Sequence, residues 1–94
     1  MSERYLNTLI VYDVGSKRVA KVHKQLIGSL FWEQMSVFSG NLSRKQFLRV
    51  VFNIERIIDC HEDSVYAFYL RYPYKLKVLR WGKRASSNEL LLRR

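Results

Sequence analysis

The stretch Leu9-Ile10-Val11-Tyr12-Asp13, followed by Val14-Gly15-Ser16 and the basic pair Lys17-Arg18, decides how the rest of this chain is read. From Leu6 to Asp13 it reads as one strand, apolar on both faces, the pattern of a strand covered on both sides. An acid closing such a strand stands at the rim of its sheet, where it reaches a metal or a ligand without being buried. The residues alone leave two readings of Asp13 open. It starts a turn, since Asp ahead of Gly is ordinary turn chemistry, or it holds a metal against a phosphodiester. The second reading draws on its surroundings, a chain with 17 Lys and Arg against 8 acids.

Ser16 is placed to cap a helix running to about Leu30, with Gly28 and Ser29 loosening its last turn. At 100° per residue Val19, Val22, Leu26 and Leu30 share one face. Lys17, Lys21 and Lys24 fall nearly opposite, with Arg18 at their flank. That stripe reads as a solvated face or as a ridge for a phosphate backbone. Phe31 to Leu42 is a second extended region, rich in aromatic and β-branched residues. No Asn-Gly or Asp-Gly signal divides it, so one bent strand and two short ones remain alternatives. Ser43-x-x-Gln46 is a capping box. The apolar positions that follow, Phe47, Val50, Val51, Ile54, Ile57 and Ile58, put one face of a second helix in the core. Asp59 to Asp63 reads as a polar loop and Ser64 to Leu70 as a strand, broken at Tyr72-Pro73. A last strand alternates over about residues 74–81, Leu76 and Val78 on one side, Lys75 and Lys77 on the other.

This order predicts an α+β, ferredoxin-like domain over residues 1–81: two helices on one face of an antiparallel sheet, with a C-terminal edge strand. Residues 82–94 read as a basic tail. The helices cover one face while the first strand is apolar on both, so the uncovered face calls for a second copy of the chain.

Ninety-four residues, 48% of them hydrophobic, suffice for one folded domain. The single cysteine, Cys60, excludes an internal disulfide and fits a reducing cytoplasm. Its place after the apolar face of a helix predicts a buried, inert thiol. No apolar run approaches the roughly 18 residues that span a bilayer. Nor does the chain start with a basic segment and a long apolar one, so neither a membrane anchor nor a secretory leader is expected. The formal charge of +9 points to a polyanionic partner, DNA or RNA before a membrane. Glycine-rich phosphate loops, zinc spacings and placeable Ser/His/Asp sets are all missing. His23, beside the apolar face of the first helix, reads as structural.

Three segments taken together resemble the CRISPR-associated Cas2 family, the small partner in acquiring new spacers: Leu9-Ile10-Val11-Tyr12-Asp13-Val14, then Gln34-Met35-Ser36-Val37-Phe38-Ser39-Gly40, then Asp63-Ser64-Val65. The resemblance covers about residues 6–81. It implies a homodimer with facing sheets, in which the acid that ends the first strand, here Asp13, lies at the dimer cleft. There two copies hold magnesium or another divalent ion, so Asp13 is both the catalytic and the metal-holding candidate. Family members are described as metal-dependent endonucleases on RNA or duplex DNA, and as the central bridge between dimers of the CRISPR integrase (Cas-one type). For some members the bridge role does not need the acid. Two carboxylates about 5 Å apart repel by about 3 kcal/mol at an effective dielectric near 20, which a divalent ion reverses.

Two departures stand out. Many members have a longer turn with a further acid after the first strand, where this chain has only Val14-Gly15-Ser16. Many also have an acid before the motif glycine, where this chain has Ser39. The nucleic-acid contacts expected are Lys17, Arg18, Lys21 and Lys24 on the first helix and Lys75 and Lys77 on the last strand. The leading expectation is a dimeric CRISPR adaptation protein with metal-dependent endonuclease activity. Its rivals are a non-catalytic bridge for the integrase and a related toxin-type ribonuclease. Ser36 and Ser39 stay open as groups that orient phosphate or water.

Overall fold

The computed structural model describes residues 5–71 and 75–83. Its elements run β1 (Tyr5–Asp13), α1 (Val19–Ile27), β2 (Phe31–Gln34), β3 (Val37–Ser43), α2 (Arg44–Ile57), β4 (Ser64–Arg71) and β5 (Lys75–Gly82). The strands form one sheet in the order β2-β3-β1-β4-β5, every neighbouring pair antiparallel. With β1 between β3 and β4, the first six elements make a ferredoxin-like domain, and β5 folds back on β4 as an added edge.

Alternation along β1 sorts its side chains. Thr8, Ile10 and Tyr12 are buried beneath the helices, while Leu9 and Val11 face the other way. The core joins Ile10 and Tyr12 to Val22, Leu26, Leu30, Phe38, Leu42, Phe47, Val50, Ile54, Val65 and Ala67. The helical periodicities therefore marked the buried stripes of both helices correctly. Among the described residues no helix covers the opposite face of the sheet. On it stand Leu9, Val11, Val37, Tyr66, Phe68, Leu70, Leu76 and Val78 in register, and Phe31 at the β2 edge is 75% exposed.

The second helix starts where the capping box placed it. Gln46 N donates to Ser43 Oγ at 3.1 Å, and Ser43 N donates to Gln46 Oε1 at 2.8 Å. The first helix starts later than expected. Residue 18 is its N-cap and makes no side-chain cap bond; instead the Gly15 carbonyl accepts from Arg18 N at 2.9 Å and Val19 N at 3.0 Å. Ser16 thus sits inside a turn, and Lys17 precedes the helix. The alternatives for the 31–42 region resolve into two strands, with Met35 at φ 39° in the turn between them. Met35 carries the left-handed conformation that Asn or Gly would have announced, so no turn signal was visible. Tyr74 and the tail from residue 84 lie outside the described residues.

Candidate metal and nucleic-acid site

Asp13 is the last residue of β1, opposite Ser64 of β4. Two residues beyond Val11, it shares the helix-free face and is exposed. Beside it, Tyr12 N donates to the Ser36 carbonyl at 3.2 Å, drawing the β2–β3 turn against the end of β1. Burial pushes the Tyr12 phenol above its ordinary value, and a hydrogen bond with Ser36 partly offsets this. Ser39 is engaged elsewhere, its hydroxyl donating to Glu33 Oε2 at 2.5 Å.

The loop that leaves Asp13 is held from a distance by Asp63, whose side chain is fully buried. Its carboxylate accepts from Gly15 N at 2.8 Å and Asp59 N at 2.8 Å. From Arg18 it accepts a fork, Nε at 2.6 Å and Nη2 at 3.0 Å. Arg18 Nη2 also reaches Glu62 Oε1 at 3.3 Å. The Asp63 main chain continues the network, its carbonyl accepting from Lys83 N at 2.7 Å. The hydrogen-bonded Arg18 guanidinium, with the two backbone donors, holds the Asp63 carboxyl well below the usual carboxylate range, against the opposing effect of burial. Reciprocally, the bond to Asp63 raises the Arg18 guanidinium above its ordinary value. Sequence reasoning passed over this pair because the partners are 45 residues apart. The available signal was an acid directly ahead of an apolar strand, together with an Arg just after the β1 loop.

Lys17, Lys21 and Lys24 are exposed along α1 and its lead-in turn, and Lys75 and Lys77 are exposed on β5. The structure brings the first three together and leaves the β5 pair on a separate element at the sheet edge. Arg18 is set apart from these lysines by its ion pair with Asp63. His23 packs edge-on against Trp32 and Phe38, at centroid distances of 4.9 and 5.1 Å, in keeping with a structural role. Cys60 is exposed rather than buried. The helix ends at Ile57, Ile58 still packs against the core, and Cys60 lies in the loop between Asp59 and Asp63.

Among the described residues no group of three or more His, Cys, Asp or Glu could hold a metal. At the end of β1 the carboxylate on offer is that of Asp13. Magnesium is commonly held by one or two carboxylates with waters completing its shell, and Asp13, exposed at the end of β1, is a donor of that kind.

The family described as CRISPR associated protein Cas2 matches residues 6–78. A relative named CRISPR-associated endoribonuclease Cas2 from Methanothermobacter thermautotrophicus is 49% identical over 67% of this chain and 69% of its own length. Another of that name from Methanocaldococcus jannaschii is 40% identical over 84% of this chain and 71% of its own length. A solved structure, described as the crystal structure of cas2, superposes with a TM-score of 0.69 at 33% identity. It covers 93% of this chain and all of its own.

Proposed function

The chain belongs to the CRISPR-associated Cas2 family, and from that premise we propose that it acts in the cytoplasm as a homodimeric, metal-dependent endonuclease that binds DNA or RNA. The observation that carries this reading is the placement of Asp13 on the same uncovered face as Leu9 and Val11. A second copy that buries this apolar face also brings the second Asp13 to the same cleft. Apolar area taken out of water stabilises such a contact by about 25 cal/mol per Å² before the costs of association.

In this reading the paired Asp13 carboxylates hold magnesium or another divalent ion. When bound, the ion lowers the proton affinity of a water and offsets charge developing on a phosphate. The rest of the work falls to the chain's own residues. Asp13 supplies the negative charge at the cleft, exposed at the end of β1 where a ligand can reach it. Lys17, Lys21, Lys24, Lys75 and Lys77 attract the nucleic-acid backbone. The relatives' name, endoribonuclease, supports RNA as one substrate. The chain also serves spacer acquisition beside dimers of the CRISPR integrase.

A second reading keeps the dimer and the nucleic acid but drops the chemistry, leaving a bridge for that integrase. The observation in its favour is the single carboxylate per copy, with no further acid in Val14-Gly15-Ser16. Purified protein incubated with RNA and with duplex DNA, with and without magnesium, separates the two. Cleavage that needs magnesium and vanishes in Asp13→Asn supports the enzyme; binding without cleavage supports the bridge.

A further inference from the structure

We infer that Asp63 and Arg18 form a positioning clamp for the Asp13 site, and that Arg18 serves the site through this clamp rather than by touching phosphate. The inference rests on the reading of Asp13 as the metal-holding residue. Asp13 ends β1, and the four residues that follow it have as local ties the bonds from Arg18 N and Val19 N to the Gly15 carbonyl and the packing of Val14 on the core. They have no side-chain helix cap and no acid of their own. The polar tie from outside the segment is Asp63, which adjoins Ser64, the β4 partner of Asp13. One carboxylate therefore ties three segments together: Gly15 two residues past Asp13, Arg18 at the start of α1, and the loop back to Asp59. Its carbonyl adds the end of β5 through Lys83 N.

The chemistry suits a rigid brace. A fully buried carboxylate is tolerated only when its lone pairs are satisfied, and here four donors meet it. The guanidinium that forks onto it is committed geometrically, and its remaining contact goes to Glu62. A phosphate that took the Nε and Nη2 donors of Arg18 would leave Asp63 buried without its countercharge. The lysines on α1 carry no comparable ion pair among the described residues. The basic stripe thus divides into three exposed lysines and one arginine forked onto Asp63.

Gly15 provides a sensitive handle on the clamp. A Cβ there would lie 2.7 Å from Arg18 Nη2 and 3.6 Å from Asp63 Oδ1. Gly15→Ala therefore pushes the tip of a flexible side chain off its partner without removing either charge. Partners bonded directly to metal ligands typically change metal affinity by about 10–100-fold when lost, and Asp63, acting through Gly15 N, belongs at the lower end of that range.

The test titrates manganese(II) chloride alone into the full-length protein by calorimetry and, in parallel, measures the salt dependence of duplex DNA binding. Asp13→Asn is expected to lose manganese binding. Asp63→Asn and Gly15→Ala are expected to weaken it by about tenfold with dimer mass and far-UV spectrum retained. Arg18→Gln is expected to weaken manganese binding similarly while leaving the slope of log K against log salt unchanged. Should Asp63→Asn fail to fold, Gly15→Ala carries the test, since only a side-chain tip must move. Wild-type manganese affinity in Gly15→Ala, with binding lost in Asp13→Asn, overturns the clamp alone. Manganese binding retained in Asp13→Asn overturns the metal reading and the clamp's purpose with it. A slope in Arg18→Gln that flattens by about 0.9 per contact shows Arg18 on phosphate and overturns its assignment.

Discussion

At the scale of single residues, Asp63 ties separate segments of the fold together and Asp13 carries the proposed chemistry. Removing the charge of Asp63 while keeping its shape, as Asp63→Asn does, forfeits charge-assisted bonds on the order of 2 kcal/mol. For a domain of this size that lowers the thermal midpoint by about 10 °C, which differential scanning calorimetry reads directly. The pH dependence has a definite sign. The folded-state carboxyl is depressed below its unfolded value of about 4. Its contribution is therefore complete above that pH and declines as the pH falls below it. Wild-type protein should lose thermal stability more steeply between about pH 4 and 2 than Asp63→Asn does. Parallel curves would mean the buried carboxylate contributes nothing to acid sensitivity. Asp13 was legible before the structure because its position at the end of an apolar strand is a local pattern. The role of Asp63 was not legible, because its partners come from a loop and a helix far away in the chain. A charge reading by neighbourhood assigns Asp63 to an acidic loop and Arg18 to a basic ridge. The fold instead removes both from those surfaces by pairing them.

Among the elements, both helices obeyed their apolar spacing, and the difference between them lies at their starts. The second is begun by a local box, so Ser43→Ala should cost about 1 kcal/mol, detectable as a reduced urea midpoint. The first is begun by the Gly15 carbonyl and steadied by Asp63 from across the molecule, which no nearby residue announces. The β2–β3 turn escaped for a similar reason, since Met35 holds a conformation for which it is not the preferred residue. The last strand was read correctly in its alternation, and its end depends on glycine. Gly82 has φ 100°, and a Cβ there would lie 2.1 Å from the Asp63 carbonyl oxygen, a backbone atom that cannot swing aside. Gly82→Ala should therefore unseat the β4–β5 end and destabilise more than Gly15→Ala, as ranked by thermal midpoints. The α1 lysines make a prediction of their own. Replacing Lys17, Lys21 and Lys24 with Gln should flatten the salt slope of DNA binding by several units in the dimer. Stability should stay within about 0.5 kcal/mol, because these positions are exposed. An unchanged slope would return the stripe to a solvated surface and leave Lys75 and Lys77 as the contact.

For the whole molecule the governing fact is asymmetry: one sheet face is packed by helices and the other presents apolar side chains to solvent. That imbalance was visible in β1, where both alternating sets are apolar, and the strand registers extend it across β3, β4 and β5. Light scattering at micromolar concentration should report about twice 11.3 kDa, and Phe68→Glu, central on that face, should shift it toward the monomer mass. The central claim is that the active centre is shared, one Asp13 from each copy. Mixed dimers test it most directly, made by refolding wild-type and Asp13→Asn chains together in equal amounts and assaying magnesium-dependent cleavage. A shared centre requires both carboxylates, so activity should fall to about a quarter of the wild-type value, the fraction of dimers with two intact copies. Activity at about half would show that each copy works alone and would contradict the account.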